Sequence, residues 1–419
     1  MAFLRALRHK HLAILWLSQV LSAIGDNFYA ITIVWMAVRV AGSGAGYVVA
    51  AQSLAGLVFG LLGGVFADRW NRRATMIVVD LIRAAAVATL PLLSLLGWLQ
   101  LWHMAAVGAV IGGLGALFDP ALQASLPVLA EDRQLLQATN GLMDMTRRLA
   151  RAIAPSIVGV LAALLPLSQF FTLDAISFII SAVAIGSLGR RFRWQPPRQQ
   201  VRAHVASGVV DEIAQSTRLV YAHKPLAWTL GGVGFTNLAW NIAFLVGVPL
   251  LAQHVLSGSI GAFGLIVGAY GVTNVIGNLI IGSMAIRRRV VMLFTGRLIM
   301  GVGFLVLASA HSVLVAVIGS GIAAFGGPMG DLMQLTMIQT DFPSSQIGKV
   351  YSLRSTISGA GGSLGLLLAV PLFARFSVES VIAVCALVMI AVGISGFIRF
   401  GFTEPVIPEL REVELGDID

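Results

Sequence analysis

Twelve apolar stretches, separated by short polar turns, leave this chain little choice of architecture. They fall near residues 12–38, 47–67, 75–97, 103–128, 141–165, 170–189, 226–252, 260–285, 290–309, 312–338, 350–373 and 378–400. A helix needs about 20 apolar residues to cross a bilayer. Within the hydrocarbon core every backbone N–H and C=O must be paired, so runs of this length are helices. The bulk numbers agree. Of 419 residues, 57% are hydrophobic and 11% charged, against roughly 25% charged in an ordinary soluble domain. Neither a water-soluble globule nor a disordered chain has such a composition. At about 35 residues per span and loop, the length is used up by twelve spans.

Basic residues set the orientation. With the N-terminus inside, 20 of the 28 Lys and Arg fall in cytoplasmic segments, and only Arg39 and Arg375 fall outside. Short loops rich in Arg and Lys stay cytoplasmic, so both termini are expected inside. The net charge of +9 is therefore a topology signal, and no nucleic-acid partner is expected. Residues 190–224 form the one long polar stretch between spans. It divides the chain into six-helix bundles at 1–189 and 225–402, and Val209–Tyr221 within it could form a surface helix. Residues 403–419 make an acidic cytoplasmic tail.

The two halves read as a repeat. Asp26 aligns with Asn241, Gly46 with Gly261, Arg83 with Arg297, Pro120 with Pro328 and Arg147 with Arg354, in consistent order. Such repeats place a substrate site between the halves near the membrane midplane.

Gly64-Val-Phe-Ala-Asp68-Arg69-Trp-Asn-Arg72-Arg73, after the second span, resembles the GxxxDRxxRR signature of the major facilitator superfamily. Ser22-Ala-Ile-Gly-Asp26, Pro120–Pro127, Ala138–Leu142 and Phe171–Phe178 resemble its drug and siderophore exporters, the macrolide efflux and enterobactin exporter type. The resemblance implies an all-α membrane protein of twelve helices in two six-helix bundles that rock about a central cavity, many such exporters trading substrate for protons. It also assigns Asp68, Arg69, Arg72 and Arg73 to conformational switching. Topology alone is an alternative that suits Arg72 and Arg73 better than Asp68. Span five reads Ala154-Pro155-Ser-Ile-Val-Gly159 where antiporters of the superfamily usually carry Gly-Pro.

Charges inside spans are the functional suspects, since an Asp at a helix centre costs about 2.5–3.5 kcal/mol on insertion scales. Gln19, Ser22, Asp26 and Tyr29 recur at helical spacing and make a polar stripe on span one. Such a face is expected to line a water-filled cavity, with Asp26 as the proton-coupling acid. The alternative is an Asp paired permanently to an Arg or capping a broken helix. Asp80 and Arg83, spaced i, i+3, can face each other, either as a structural ion pair or as members of the gating and switching group. Asp144, Arg147, Arg148 and Arg151 form a charged stripe suited to gating, or to direct contact with an anionic substrate. Asp119 and Asp331 stand beside the span-four and span-ten prolines, where they could line the cavity. Asn237, Trp240 and Asn241 give span seven a polar and aromatic face for substrate. Arg297 and Arg354 join the switching group, and Asp331 is a candidate partner for Arg297, which has no acid on its own helix.

Six intramembrane Arg (83, 147, 148, 151, 297, 354) stand against six Asp (26, 80, 119, 144, 174, 331), a balance that selects neither a cationic nor an anionic substrate. No HExxH, P-loop or CxxC pattern occurs, and there is one Cys. No enzyme activity, metal or cofactor is expected, and ion gradients are the energy source. The leading expectation is a monomeric secondary exporter of amphipathic small molecules by proton antiport, with lipid, substrate and protons as its partners. Gly25-Asp26-Asn27 and Asn140–Met143 also resemble lysophospholipid transporters of the same superfamily, which would not need a proton gradient. A non-transporting sensor is the third possibility.

Overall fold

The computed structural model describes residues 9–67, 71–130, 133–188, 224–256, 258–284, 286, 288–342 and 344–401. They form helices α1 (Lys10–Ala41), α2 (Ala45–Ala67), α3 (Arg72–Leu95), α4 (Leu101–Leu129), α5 (Arg133–Leu161) and α6 (Ser168–Ser187). After the linker come α7 (Lys224–Trp240, a π-helical stretch Asn241–Gly247, then Val248–His254), α8 (Ile260–Ser283) and α9 (Arg289–Ala308). The last three are α10 (Val313–Asp341), α11 (Ser344–Arg375) and α12 (Val378–Gly396, continued by a π-helical turn Phe397–Gly401). No strand occurs among the described residues. The linker 190–223, the tail from 402, and Asp68 and Arg69 of the loop motif lie outside the described residues.

Among the described residues, ten helical segments are apolar and long enough to cross a membrane. The first of them, Lys10–Gly60, runs through α1 into α2. Helix α5 is not among the ten. It carries Asp144, Arg147, Arg148 and Arg151 within two turns, and that charge cancels its apolar face. Elsewhere the outward faces are Leu, Ile, Val and Phe, as lipid contact requires.

Local chemistry explains the helix ends. Asn71, Ser259, Ser312 and Ser377 cap α3, α8, α10 and α12 by accepting backbone N–H bonds at 3.2, 3.0, 3.4 and 3.3 Å, which satisfies otherwise orphaned donors. Gly97, between α3 and α4, takes φ 71°, a conformation that costs other residues roughly 1–2 kcal/mol. Arg73, at the start of α3, donates to the carbonyls of Ile185 and Gly186 at the end of α6. Arg289, at the start of α9, binds Asp341 at 3.1 Å at the end of α10. Both cations sit at the C-terminus of a neighbouring helix, where the dipole favours them.

The packing is repeated. In the first half α1 packs on α5 and α6, α3 on α4 and α6, and α2 on α4. In the second half α7 packs on α11 and α12, α9 on α10 and α12, and α8 on α10. The halves meet through α5 against α8 and α2 against α11, which are equivalent pairs in the repeat. The α5–α8 seam reaches inward as far as Gly271 against Ala152, and both seams are tight at the end bearing the α1–α2 and α5–α6 turns. There Gly159 faces Gly261 and Gly264, Gly46 faces Leu366 and Val370, and Trp35 stacks on Phe263 with ring centroids 5.4 Å apart. Small residues let the backbones approach this closely. At the opposite end Asp119, Asp144 and Asp331 have side chains 66%, 64% and 59% exposed, so the halves part there.

Candidate functional site

Between the halves lies a cavity of about 470 Å³. From the first half α1 lines it with Asn27, Ile31 and Val34, and α5 with Arg148, Arg151 and Pro155. The second half contributes Asn237, Trp240 and Phe244 of α7, Phe263, Tyr270 and Asn274 of α8, and Arg297, Asp331, Arg354 and Ser358 of α9 to α11.

An aromatic wall is built where α7 meets α8. Trp240 and Phe244 stack with centroids 5.0 Å apart, and Phe244 and Tyr270 approach to 4.3 Å. Trp240 Nε1 donates to the Tyr270 hydroxyl at 2.9 Å, which fixes the indole edge. The wall sits at the start of the π-helical stretch Asn241–Gly247, and such bulges often mark functional positions.

Charge is arranged around one carboxylate. Arg297 is 4% exposed and lies against Gly330, where a Cβ would come within 2.7 Å of its Cζ. Its Nη2 meets Asp331 Oδ1 at 3.2 Å, and Arg354 Nη2 reaches the same oxygen at 3.7 Å. Arg354 Nε also donates to Gln334 Oε1 at 2.6 Å. On the other wall Arg148 Nε binds Asp144 at 2.8 Å, and Arg147 reaches Asp119 at 3.9 Å. Arg151 lines the cavity with no ion pair or hydrogen bond among the described residues.

Several sequence expectations change here. Among the proposed lining residues, Asn237, Trp240 and Asp331 face the cavity. Ser22 and Tyr29 do not. They are 6% and 1% exposed: α1 packs on α5 and α6, and the Tyr29 ring meets Phe171 of α6 with centroids 5.9 Å apart. Gln19 Nε2 donates to Ser181 Oγ at 3.2 Å and so is turned to α6 as well. Asn241 bonds the Asn237 carbonyl at 2.8 Å and abuts Gly362 of α11. Asp119 is exposed beside Arg147 and outside the lining. Asp26 is exposed, next to the lining residue Asn27 but outside the lining; Arg83, Asp119 and Arg147 of the first half are the charges that act on it, and no hydrogen bond or ion pair reaches it among the described residues.

The expected Asp80–Arg83 ion pair is absent among the described residues. Asp80 is fully buried, and neither carboxylate oxygen has a hydrogen-bond partner. Arg83 instead donates to the Ile111 carbonyl at 3.4 Å. Its guanidinium stands over the Phe118 and Phe178 rings, 5.5 and 5.3 Å from their centroids. Two aromatic faces provide a cation–π seat that helical spacing alone did not reveal. Asp174 of α6, also fully buried, accepts from Ser177 Oγ at 3.4 Å. It belongs to this interior cluster rather than to the cavity.

Helices packed as two repeated sets of six around an interhelical cavity define a major facilitator transporter. Solved structures agree on the fold. An auto-inhibited POT family peptide transporter superposes with a TM-score of 0.73 at 11% identity, over 96% of this chain and 98% of that one. A POT family transporter in complex with 5-aminolevulinic acid superposes with 0.71 at 12% identity, covering 93% and 96%. The chain belongs to the transmembrane secretion effector family of that superfamily, whose model matches residues 2–399. It is similar to the multidrug efflux pump Tap of Mycolicibacterium fortuitum, at 25% identity over 93% of this chain and 94% of the relative. It is also similar to macrolide efflux protein A of Streptococcus pyogenes, at 23% identity over 96% of each.

Proposed function

We propose that this transporter exports amphipathic small molecules by alternating access, exchanging them for protons at Asp26. The observation that carries the reading is the cavity: about 470 Å³, walled by both halves, shut at one end and open at the other. That volume falls within the roughly 300–1,000 Å³ of small-molecule sites. The arginine pattern argues that the open end is cytoplasmic and that both termini are inside, in the inner membrane of a bacterium. The named activity of the relatives, multidrug and macrolide efflux, favours export.

In this reading the bundles 1–189 and 225–402 are the rigid bodies, joined by the linker 190–224, and one monomer suffices. Rocking separates the glycine seams at the closed end and brings α4–α5 towards α10–α11 at the open one. Asp68, Arg69, Arg72, Arg73 and the Asp144–Arg148 and Arg147–Asp119 pairs stabilise one state or the other. Asp26 stands beside the cavity with no ion pair among the described residues, and a proton gained there changes the local charge by one unit. The coupling is tested in proteoliposomes loaded with a fluorescent drug. An imposed proton gradient should drive export in the wild type, and Asp26→Asn should export down a drug gradient but not respond to pH. An Asp26→Asn variant with an unchanged pH response removes the coupling role. Movement of lysophospholipid without any gradient dependence would favour a lipid transporter.

A further inference from the structure

We propose that the cavity is built for an amphipathic aromatic anion, its acidic group held between Arg151 and Arg354 and its ring set on the Trp240–Tyr270 wall. This rests on the efflux reading of the same cavity, not on proton coupling.

Positive charge outnumbers negative charge on the cavity wall. The residues lining the cavity include four Arg (148, 151, 297, 354) and one Asp (331). Two of the Arg share a single oxygen of Asp331, so that group is left with one positive charge. Arg148 is answered by Asp144 from outside the lining. Arg151 is answered by nothing among the described residues. Two guanidinium charges therefore face the cavity, one from α5 of the first half and one from α9 to α11 of the second. Asp26 on α1 supplies a carboxylate beside the lining, and Asp119 is engaged by Arg147, so neither cancels the excess where it occurs.

An Arg within a span costs about 2.5–3.5 kcal/mol on insertion scales, and intramembrane charges usually have partners. Arg151 has none, which points to a partner that arrives. Guanidinium stays charged in any pore environment and matches carboxylate, sulfonate or phosphate oxygens two at a time. Two cations on opposite walls of one cavity repel. An anion between them converts the repulsion into two attractions, one to each half, and so favours closing the open end over the bound molecule. The Trp240–Tyr270 hydrogen bond holds the adjacent ring in place, a preorganised face for an aromatic group.

The test uses three probes of one shape: pyrenesulfonate, pyrenemethanol and pyrenemethylammonium. Binding to the full chain in nanodiscs is read by energy transfer from tryptophan, and export is read in proteoliposomes. Pyrenesulfonate should bind at least about tenfold more tightly than the other two, a difference of about 1.4 kcal/mol. Arg151→Gln and Arg354→Gln should each lose about tenfold for the sulfonate and leave pyrenemethanol unchanged, while Arg151→Lys should keep most of the affinity. Equal or tighter binding of the ammonium probe overturns the proposal. So does a sulfonate affinity indifferent to both glutamine variants. Selective sulfonate binding without export by any probe supports the anion site and removes the efflux reading. Export of the neutral or cationic probe with no sulfonate preference keeps efflux and removes the anion site.

Discussion

The closed end depends on how nearly two helices can touch, and Gly264→Ala measures that. A Cβ built on Gly264 of α8 lies 2.6 Å from the Pro155 carbonyl oxygen and 3.1 Å from Gly159 Cα on α5. Favourable separations between heavy atoms are about 3.5–4.0 Å, so the seam has to widen by roughly an ångström. Overpacking of this kind costs about 1–3 kcal/mol, which shifts a two-state equilibrium by about 5–150-fold. If the bundles rock as proposed, the strain is confined to the conformation that closes this end and is relieved when they part. Gly159→Ala is the matched control. Its Cβ meets nothing nearer than Gly261 Cα at 3.5 Å, an ordinary contact, so it should shift the equilibrium little. Spin labels on cysteines at Leu165 and Phe376, in a Cys385→Ala background, report the span between the α5–α6 and α11–α12 turns by electron double resonance. Gly264→Ala should populate a longer distance and Gly159→Ala should not. Identical distance distributions in folded wild type and Gly264→Ala refute the claim that this seam holds the end shut.

Three further outcomes follow from the site. Asp331→Ala leaves Arg297, 4% exposed, without its carboxylate, and should lower the melting temperature in detergent well beyond Asp144→Ala. The Asp144 pair is more than half exposed on both sides and is worth at most about 1 kcal/mol. Trp240→Phe removes the bond to the Tyr270 hydroxyl, a net contribution of about 1 kcal/mol, and should raise the transport KM severalfold with a smaller change in maximal rate. Arg83→Leu deletes a cation seated on Phe118 and Phe178 within a buried cluster containing Asp80 and Asp174. It should destabilise the fold measurably in thermal unfolding, whereas Arg151→Gln, at an exposed side chain, should not.

Helix positions were largely legible in the sequence, because hydropathy over a span-length window is a property of the helix alone. The stretch read at 260–285 is α8, Ile260–Ser283. The Arg297–Asp331 contact was legible for a related reason: a charge in a membrane needs a partner, and few were available. What the sequence hid depends on helix rotation and neighbours. The polar stripe of α1 was equally suited to water or to another helix, and Ser181 of α6 settles part of it by accepting from Gln19. Arg83 left its i, i−3 acid for two aromatic rings on α4 and α6, a choice made by tertiary contact. The π-helical stretch Asn241–Gly247 in α7 contains no residue type that marks it in the sequence. Arg151 was legible as a charge, but its lack of a carboxylate became visible only once every nearby acid had been placed.

The central claim is that this cavity opens to one side of the membrane at a time and carries substrate between them. Ser358, on the cavity lining, offers the direct test as Ser358→Cys, labelled with a membrane-impermeant maleimide in inside-out and right-side-out vesicles. At rest, labelling should occur from the cytoplasmic face alone. A bound, exported probe should protect the thiol, and trapping the opposite state should transfer labelling to the outer face. Labelling from both faces at once, or labelling that substrate never alters, would contradict alternating access through this cavity.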